Sequence, residues 1–305
     1  MASAYSSAVD IKYRTPMDIV KQCNNASLQN CKWLVIEGQR VGILIEPVVR
    51  LLNLYSKVFV CGNNENELCM NPSLKTYEER STVLTQLIHL WRNQNIFPFF
   101  KSWRNEEMNI WGDFNKPPLL KIERVAVSIF GAKQYGAHIN GYVSNINGYP
   151  TAIWLGVRSK NKSTHPGKYD QIAAGAMSAN DMSARSCAER EAFEEAGLTS
   201  EYTQKLKPVG AVSYIHEDKR GIFPEVQFVF DLDLPKEFNP VNVDGEVGLF
   251  VLVSIDQAKL ILKTDTIKYN SALVLLDFFI RHGFINADEE TQYITIVNQI
   301  HRGLF

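Results

Sequence analysis

Arg190-Glu191-Ala192-Phe193-Glu194-Glu195-Ala196-Gly197-Leu198 ends a predicted helix that begins near Met182. Gly197 terminates it, as the residue that most readily takes the left-handed conformation at a helix C-terminus. Residues three and four apart share a helix face, so Glu191, Glu194 and Glu195 converge. Traced backwards, that face reads Ala184, Cys187, Ala188, a small apolar stripe suited to packing on a sheet. Like charges at these spacings cost about 0.2–0.5 kcal/mol per pair even when exposed. The free carbonyls of the last turn add negative potential. Arg190 can pair with Glu194 at i, i+4, but one guanidinium does not satisfy three carboxylates. An all-oxygen donor set suits Mg²⁺, or Mn²⁺, rather than zinc. The bland alternative is a solvated acidic face, the ordinary reading of a charge run. Against it, the fixed pattern R-E-x-x-E-E-x-G arises by composition in about one in 100,000 chains of this length.

Outward from this helix the pattern is α/β. Tyr135 to Val143 and Ala152 to Val157 read as strands around the turn Asn145-Ile146-Asn147-Gly148. Val209 to Ile215 and Val226 to Leu234 read as a second pair, joined by a charged loop holding Glu217 to Gly221. Leu249 to Val253 is a further strand. Two C-terminal helices follow, Asn270 to His282, ended by Gly283, and about Glu289 to His301. Towards the N-terminus, a polar tail (Met1 to Lys12) leads to a helix started by Thr15-Pro16. A hairpin is predicted from Trp33 to Ile36 and Gly42 to Ile45. An amphipathic helix, Ser81 to Asn93, places Val83, Leu84, Leu87, Leu90 and Trp91 on one stripe.

With 305 residues, about two domains are expected. Asn115-Lys116-Pro117-Pro118 is the linker candidate, dividing residues 1–117 from 118–305. Hydrophobic residues make up 45% and charged residues 21%, which excludes a disordered or collagen-like chain. Lys+Arg number 32 against 33 Asp+Glu, a formal net charge of -1, so no basic footprint for nucleic acid is present. Leu249 to Ile255 and Ala272 to Ile280 are too short to span a bilayer, and no secretory signal is evident at the start. Five cysteines, an odd number with no C-x-x-C pair, read as reduced thiols of a cytosol-like compartment, and a cytoplasmic location is expected.

The acidic helix resembles the second half of the Nudix motif, G-x5-E-x7-R-E-U-x-E-E-x-G-U, where U is a bulky aliphatic residue. The resemblance implies a Nudix α/β/α sandwich with a mixed sheet, preceded by a small α/β domain and followed by C-terminal helices. It implies hydrolysis of a diphosphate with Mg²⁺ (Mn²⁺ as the alternative) held by Glu191, Glu194 and Glu195. Arg190 would be their orienting partner and Gly175 the start of the metal-binding loop. The match is uneven upstream. Counting forward from Gly175 puts Asp181 at the first glutamate position; counting back from Arg190 puts Met182 there and Ala176 at the first glycine. The loop is thus one residue longer than the pattern, Asp181 reads as a helix N-cap, and Ala192 is small where a bulkier residue is usual.

Further stretches, among them Trp103-Arg104-Asn105-Glu106, Tyr135 to Val143, Thr164-His165-Pro166-Gly167-Lys168 and Asp244-Gly245-Glu246-Val247, resemble one Nudix subgroup with an extra N-terminal domain. That subgroup includes plant and yeast hydrolases of damaged thiamine diphosphate. The resemblance makes Glu246 a candidate for metal ligation or for accepting the proton of water, alongside Glu194 and Glu195. Arg158 and Lys168 are candidates to neutralise the diphosphate. His138 reads as a hydrogen-bonded structural histidine, Cys187 as helix packing, and Trp91 as core. The other tryptophans are possible stacking partners for a flat ring. The alternatives to hydrolysis are a non-catalytic Nudix-fold module binding a nucleotide or thiamine compound, and diphosphate isomerisation, for which no acid/base pair is visible.

Overall fold

The computed structural model describes residues 13–305; the tail expected over Met1 to Lys12 lies outside them. Helix α1 (Pro16–Cys23) starts where Thr15 accepts from the Asp18 amide and Asp18 reaches back to the Thr15 amide. Strands β1 (Lys32–Ile36) and β2 (Gln39–Leu44) form the expected hairpin. Its turn uses positive φ at Glu37 and Gly38, the geometry that matches strand twist. After α2 (Glu46–Leu52), β3 (Phe59–Cys61) and β4 (Glu67–Met70), a four-stranded sheet runs β2-β1-β4-β3, with β1 and β4 parallel.

Helix α3 (Tyr77–Asn93) begins earlier than expected because Thr76 and Glu79 cap it reciprocally. Its inward stripe is Ser81, Leu84, Leu87, Ile88 and Trp91, with Trp91 fully buried as expected and Leu90 exposed. Strands β5 (Glu107–Ile110) and β6 (Leu120–Glu123) pair antiparallel, and the two prolines lie in their connection.

The C-terminal half is built on β7 (Gln134–Ser144), β8 (Pro150–Arg158), β9 (Tyr169–Asp170), β10 (Ala173–Ala176), α4 (Ala184–Ala196), α5 (Ser200–Thr203), β11 (Lys207–Asp218), β12 (Gly221–Asp233), β13 (Val247–Ser254), α6 (Ile255–Leu262), α7 (Tyr269–Arg281) and α8 (Tyr293–Ile300). The main path of its seven-stranded sheet is β11-β12-β7-β8-β13, with β10 beside β7 and β9 beside β8. β12 and β7 are parallel and the other pairs antiparallel, so the sheet is mixed. The charged residues expected in a loop continue the β11–β12 hairpin, whose turn narrows to Lys219-Arg220 because Asp218 accepts from the Arg220 amide.

Helix α4 packs on one face of this sheet: Cys187, Ala188 and Ala192 are fully buried in one cluster with Ala137 and Ile139. The small residue at 192 is what lets α4 lie this close. On the other face, α7 and α8 join Val212, Tyr214 and Val229 in a second core. This is the α/β/α sandwich. Its second helical layer also receives α1, whose Met17, Ile19, Val20 and Cys23 belong to the same core. Removing one of its large aromatic side chains, as in Phe278→Ala, would cost about 3–5 kcal/mol.

Candidate active site

Ser183, not Asp181, caps α4: its hydroxyl accepts from the Ser186 amide. Asp181 is freed for Arg190, which donates to its two oxygens at 3.0 and 2.8 Å. The same guanidinium donates to Glu191 at 2.8 Å, Glu194 at 3.0 Å and the Ala176 carbonyl at 3.1 Å. Three carboxylates therefore share one cation, two more than the i, i+4 spacing alone predicts, and Arg190 is held firmly cationic, first by its Asp181 hydrogen bonds.

Glu191 is nearly buried, and burial pushes its pKa up to about 7 against the pull of Arg190. Glu195 is 6% exposed and accepts from the Ala174 amide at 2.8 Å. Burial, then the Glu191 charge, raises its pKa well above the usual carboxylate range. Gly175 makes room for this arrangement: a Cβ built there would fall 1.9 Å from Glu191 Oε1. Among the described residues, no three acidic, histidine or cysteine side chains stand as a ready-made metal cage. The donor chemistry nonetheless fits a hard dication. The oxygens are carboxylate oxygens, two of the groups are desolvated so that ionisation is unfavourable without a cation, and the missing Cβ of Gly175 lets the Glu191 carboxylate lie against the strand.

These groups form one end of a cleft of about 440 Å³. Glu191, Glu194, Glu246, Gly175 and Arg158 line it, and Glu195 lies buried behind them. Burial alone would raise the Glu246 pKa, but its ion pair with Lys162 outweighs this and holds the carboxylate below its ordinary value. Arg158 faces the cleft but is buried and committed to Asp170, at 3.0 Å, and to the Thr164 carbonyl. Lys168 is not part of the cleft wall; its Nζ donates to the Asp265 carbonyl at 2.7 Å. His138 lines the cleft with Nδ1 2.7 Å from Gln171 Oε1, while Gln171 Nε2 donates to the Ser271 carbonyl. That fixes the proton on Nδ1 and leaves Nε2 as an acceptor.

The sequence reading missed Arg104, Arg124, Lys162 and Lys268, all of which line the cleft. Arg124 pairs with Glu106 at 2.8 Å, and Lys268 approaches Asp170 at 3.4 Å. Arg104 makes no ion pair with a described residue, only a 3.5 Å contact to Ser163 Oγ. No tryptophan lines the cleft; its aromatic walls are Tyr135, Phe223 and Tyr269. The overlooked signal was polar residues at alternate positions of strands otherwise apolar, Gln134 in β7 and Glu225 and Gln227 in β12.

Comparison with known proteins fits this geometry. Residues 138–273 match the model of the NUDIX domain, and residues 15–134 match a domain of unknown function, DUF4743. The chain is 33% identical over 290 residues to Nudix hydrolase 24, chloroplastic, of Arabidopsis thaliana, covering 94% of this chain and 78% of that protein. The chain belongs to the Nudix hydrolase family. Nudix hydrolase 20, chloroplastic, of the same plant is 33% identical over 291 residues, covering 92% of this chain and 76% of its own. A solved structure, DR0079 from Deinococcus radiodurans, matches 56% of this chain and 98% of its own at 15% identity and a TM-score of 0.41. As a Nudix hydrolase the protein is a diphosphate hydrolase, and members of the family generally use a divalent metal. No helix among the described residues is long and apolar enough to cross a membrane.

Proposed function

We propose that this Nudix hydrolase cleaves oxidised or otherwise damaged thiamine diphosphate to the monophosphate and orthophosphate, with Mg²⁺ as its metal. The observation that carries the diphosphate chemistry is the Glu191–Glu194–Glu195 face set against Gly175, in a cleft also lined by Arg104, Lys162 and Lys268. The thiamine-like substrate is supported by the stretches shared with the subgroup and by a cleft with room for a flat ring beyond the diphosphate.

Glu191, Glu194 and Glu195, with the Gly175 segment, would hold the metal. When bound, it supplies Lewis acidity towards the phosphoryl oxygens and lowers the pKa of water. Arg190 orients Glu191 and Glu194 and keeps them apart from each other's charge. Arg104, Lys162 and Lys268 neutralise the non-bridging oxygens, and Arg158 braces the Thr164 loop through its carbonyl. Water adds to phosphorus, the bond to the bridging oxygen breaks, and the water proton passes to a carboxylate, with Glu194, Glu195 and Glu246 the candidates. All five cysteines are free, which supports a reducing compartment such as the cytoplasm.

A substrate panel tests the reading: kcat/KM with Mg²⁺ for oxythiamine diphosphate, thiamine diphosphate, ADP-ribose, NADH and dNTPs. Thiamine-derived diphosphates are expected to lead by at least tenfold. A nucleotide leading by that margin refutes the substrate assignment.

A further inference from the structure

The cleft has a second polar end that the hydrolytic chemistry leaves unused. Ala137 pairs with Gly175, and Gln134 lies three residues earlier on the same strand. At about 3.3 Å per residue it stands about 10 Å from the level of the glutamates, the reach from a diphosphate through a short linker to a ring. β12 runs parallel beside it and sets Glu225 opposite Gln134 and Gln227 opposite Gly136, so these side chains share one face. Gly136 lets the Gln227 amide lie across β7, since a Cβ there would come 2.3 Å from its Oε1. Gln227 Nε2 then donates to Glu225 Oε2 at 2.7 Å, and the Tyr214 hydroxyl donates to the same oxygen at 2.5 Å.

Glu225 is thereby held rigidly, yet it has no ion pair with a described residue, and its Oε1 receives no hydrogen bond from one. Beside it, Gln134 Nε2 is buried without a partner among the described residues. An unpaired buried polar group costs about 1–3 kcal/mol, and this one stands next to the unengaged oxygen of the half-buried Glu225 in a wall of the cleft. Flat surfaces flank them. Phe223, two residues before Glu225, lies under the Arg220 guanidinium at 4.6 Å, and Tyr269 stacks on His216 at 4.5 Å.

We propose that Glu225 and Gln134 read the edge of a flat heteroaromatic ring that carries a hydrogen-bond donor next to an acceptor, with Phe223 and Tyr269 against its faces. The inference rests on the diphosphate-hydrolase reading and deepens it by naming the chemistry of the group beyond the phosphates. An aminopyrimidine edge donates from its amino group to Glu225 Oε1 and accepts at the ring nitrogen from Gln134 Nε2. Where an oxo group replaces the amino group, donor and acceptor exchange places along the edge, so the exocyclic oxygen faces the Glu225 acceptor and the ring N–H faces the Gln134 donor. The subsite therefore favours the amino edge and rejects a ring with no polar edge.

The test is calorimetric titration of the full chain with Mg²⁺, using monophosphates so that no turnover intervenes. The ligands are thiamine monophosphate and its 4′-deamino analogue; the proteins are wild type, Glu225→Gln and Gln134→Leu, each checked for an unchanged melting temperature. Wild type is expected to prefer the amino compound at least tenfold, Glu225→Gln to prefer it less than threefold, and Gln134→Leu to bind both compounds at least fivefold more weakly than wild type. Equal binding of the two ligands by wild type, an undiminished preference in Glu225→Gln, or unweakened binding of both ligands by Gln134→Leu overturns the proposal. If neither thiamine compound binds better than inorganic phosphate, the thiamine reading fails, and AMP against purine riboside 5′-monophosphate decides the subsite. A tenfold preference for AMP that Glu225→Gln loses upholds it, and no preference, or one that Glu225→Gln keeps, overturns it.

Discussion

Gly175→Ala isolates the geometry of the acidic site from its chemistry. The new Cβ would stand 1.9 Å from Glu191 Oε1 and 2.0 Å from its carboxyl carbon, whereas ordinary contact begins near 3.4 Å. The carboxylate must retreat by about 1.5 Å, which breaks the 2.8 Å bond from Arg190 and moves one proposed metal ligand out of place. A displacement of about 1 Å at a reacting centre costs about 10²-fold in rate. The backbone itself is little strained, because Gly175 is not among the glycines with positive φ; the loss of chain entropy in the unfolded state even favours alanine by about 0.4–1 kcal/mol. The expected result is a fall of about 100-fold in kcat/KM for diphosphate hydrolysis, with a melting temperature that stays level or rises slightly. Phosphate release under saturating Mg²⁺ and a thermal melt of the same sample measure both. Activity within threefold of wild type would show that Glu191 has no role fixed by its seat against Gly175.

Glu194→Gln removes a carboxylate from the cleft while keeping its shape, and phosphate release is expected to fall at least 100-fold; undiminished turnover sinks its assignment. Arg104→Ala removes the cation that has no ion-pair partner among the described residues, so KM for the diphosphate is expected to rise about 10- to 100-fold, the worth of one charge-assisted hydrogen bond, with kcat within threefold. A change confined to kcat would place Arg104 outside substrate binding. Burial, then the Lys268 charge, pushes His138 down to about 4, so between that value and about 6.5 the unfolded chain binds the extra proton. Stability from this residue is full above pH 6.5 and falls by about 2 kcal/mol between pH 7.5 and 5; in urea melts His138→Gln should flatten that part of the profile, and an identical slope in the variant refutes it.

What was legible in the sequence is what local rules determine. The R-E-x-x-E-E-x-G turn, the Ala184–Cys187–Ala188 stripe and the Gly197 terminator all act within a few residues, and helix, face and acid cluster follow from them. The Thr15-Pro16 start was equally readable, but nothing local says that α1 crosses to α7 and α8. Asp181 was misread as a cap; Ser183, two residues on, takes that place because Ser186 falls at the reciprocal position. Lys168 was placed by nearness to the motif in sequence, whereas the loop carries it out to Asp265. Gln134 and Glu225 were invisible as a pair because only sheet register brings them together, and Arg104 reaches the same cleft from a loop anchored at Glu123. The parallel pairing of β12 with β7 sets Glu225 beside Gln134 across a long crossover, and no periodicity within either strand encodes that.

The same register explains why the N-terminal half bears on catalysis. Its sheet is joined to the start of β7: the Ile43 amide donates to the Gly131 carbonyl at 3.0 Å, and the Lys133 amide donates to the Val41 carbonyl at 3.3 Å. Two glycines make the contact possible. A Cβ on Gly42 would fall 2.1 Å from the Phe130 carbonyl oxygen, and one on Gly131, at φ 51°, would fall 1.9 Å from that of Ile43. Backbones that approach this closely admit no side chain. The seam lies immediately before Gln134, so it fixes where β7 begins and with it the ring end of the cleft. From the same half of the chain, Arg104 also lines the cleft, its amide anchored to Glu123 Oε1 at 3.1 Å. A glutamate helix alone would repel a diphosphate; in the proposed reading the countercharge comes in part from this segment, which lies outside the Nudix motif.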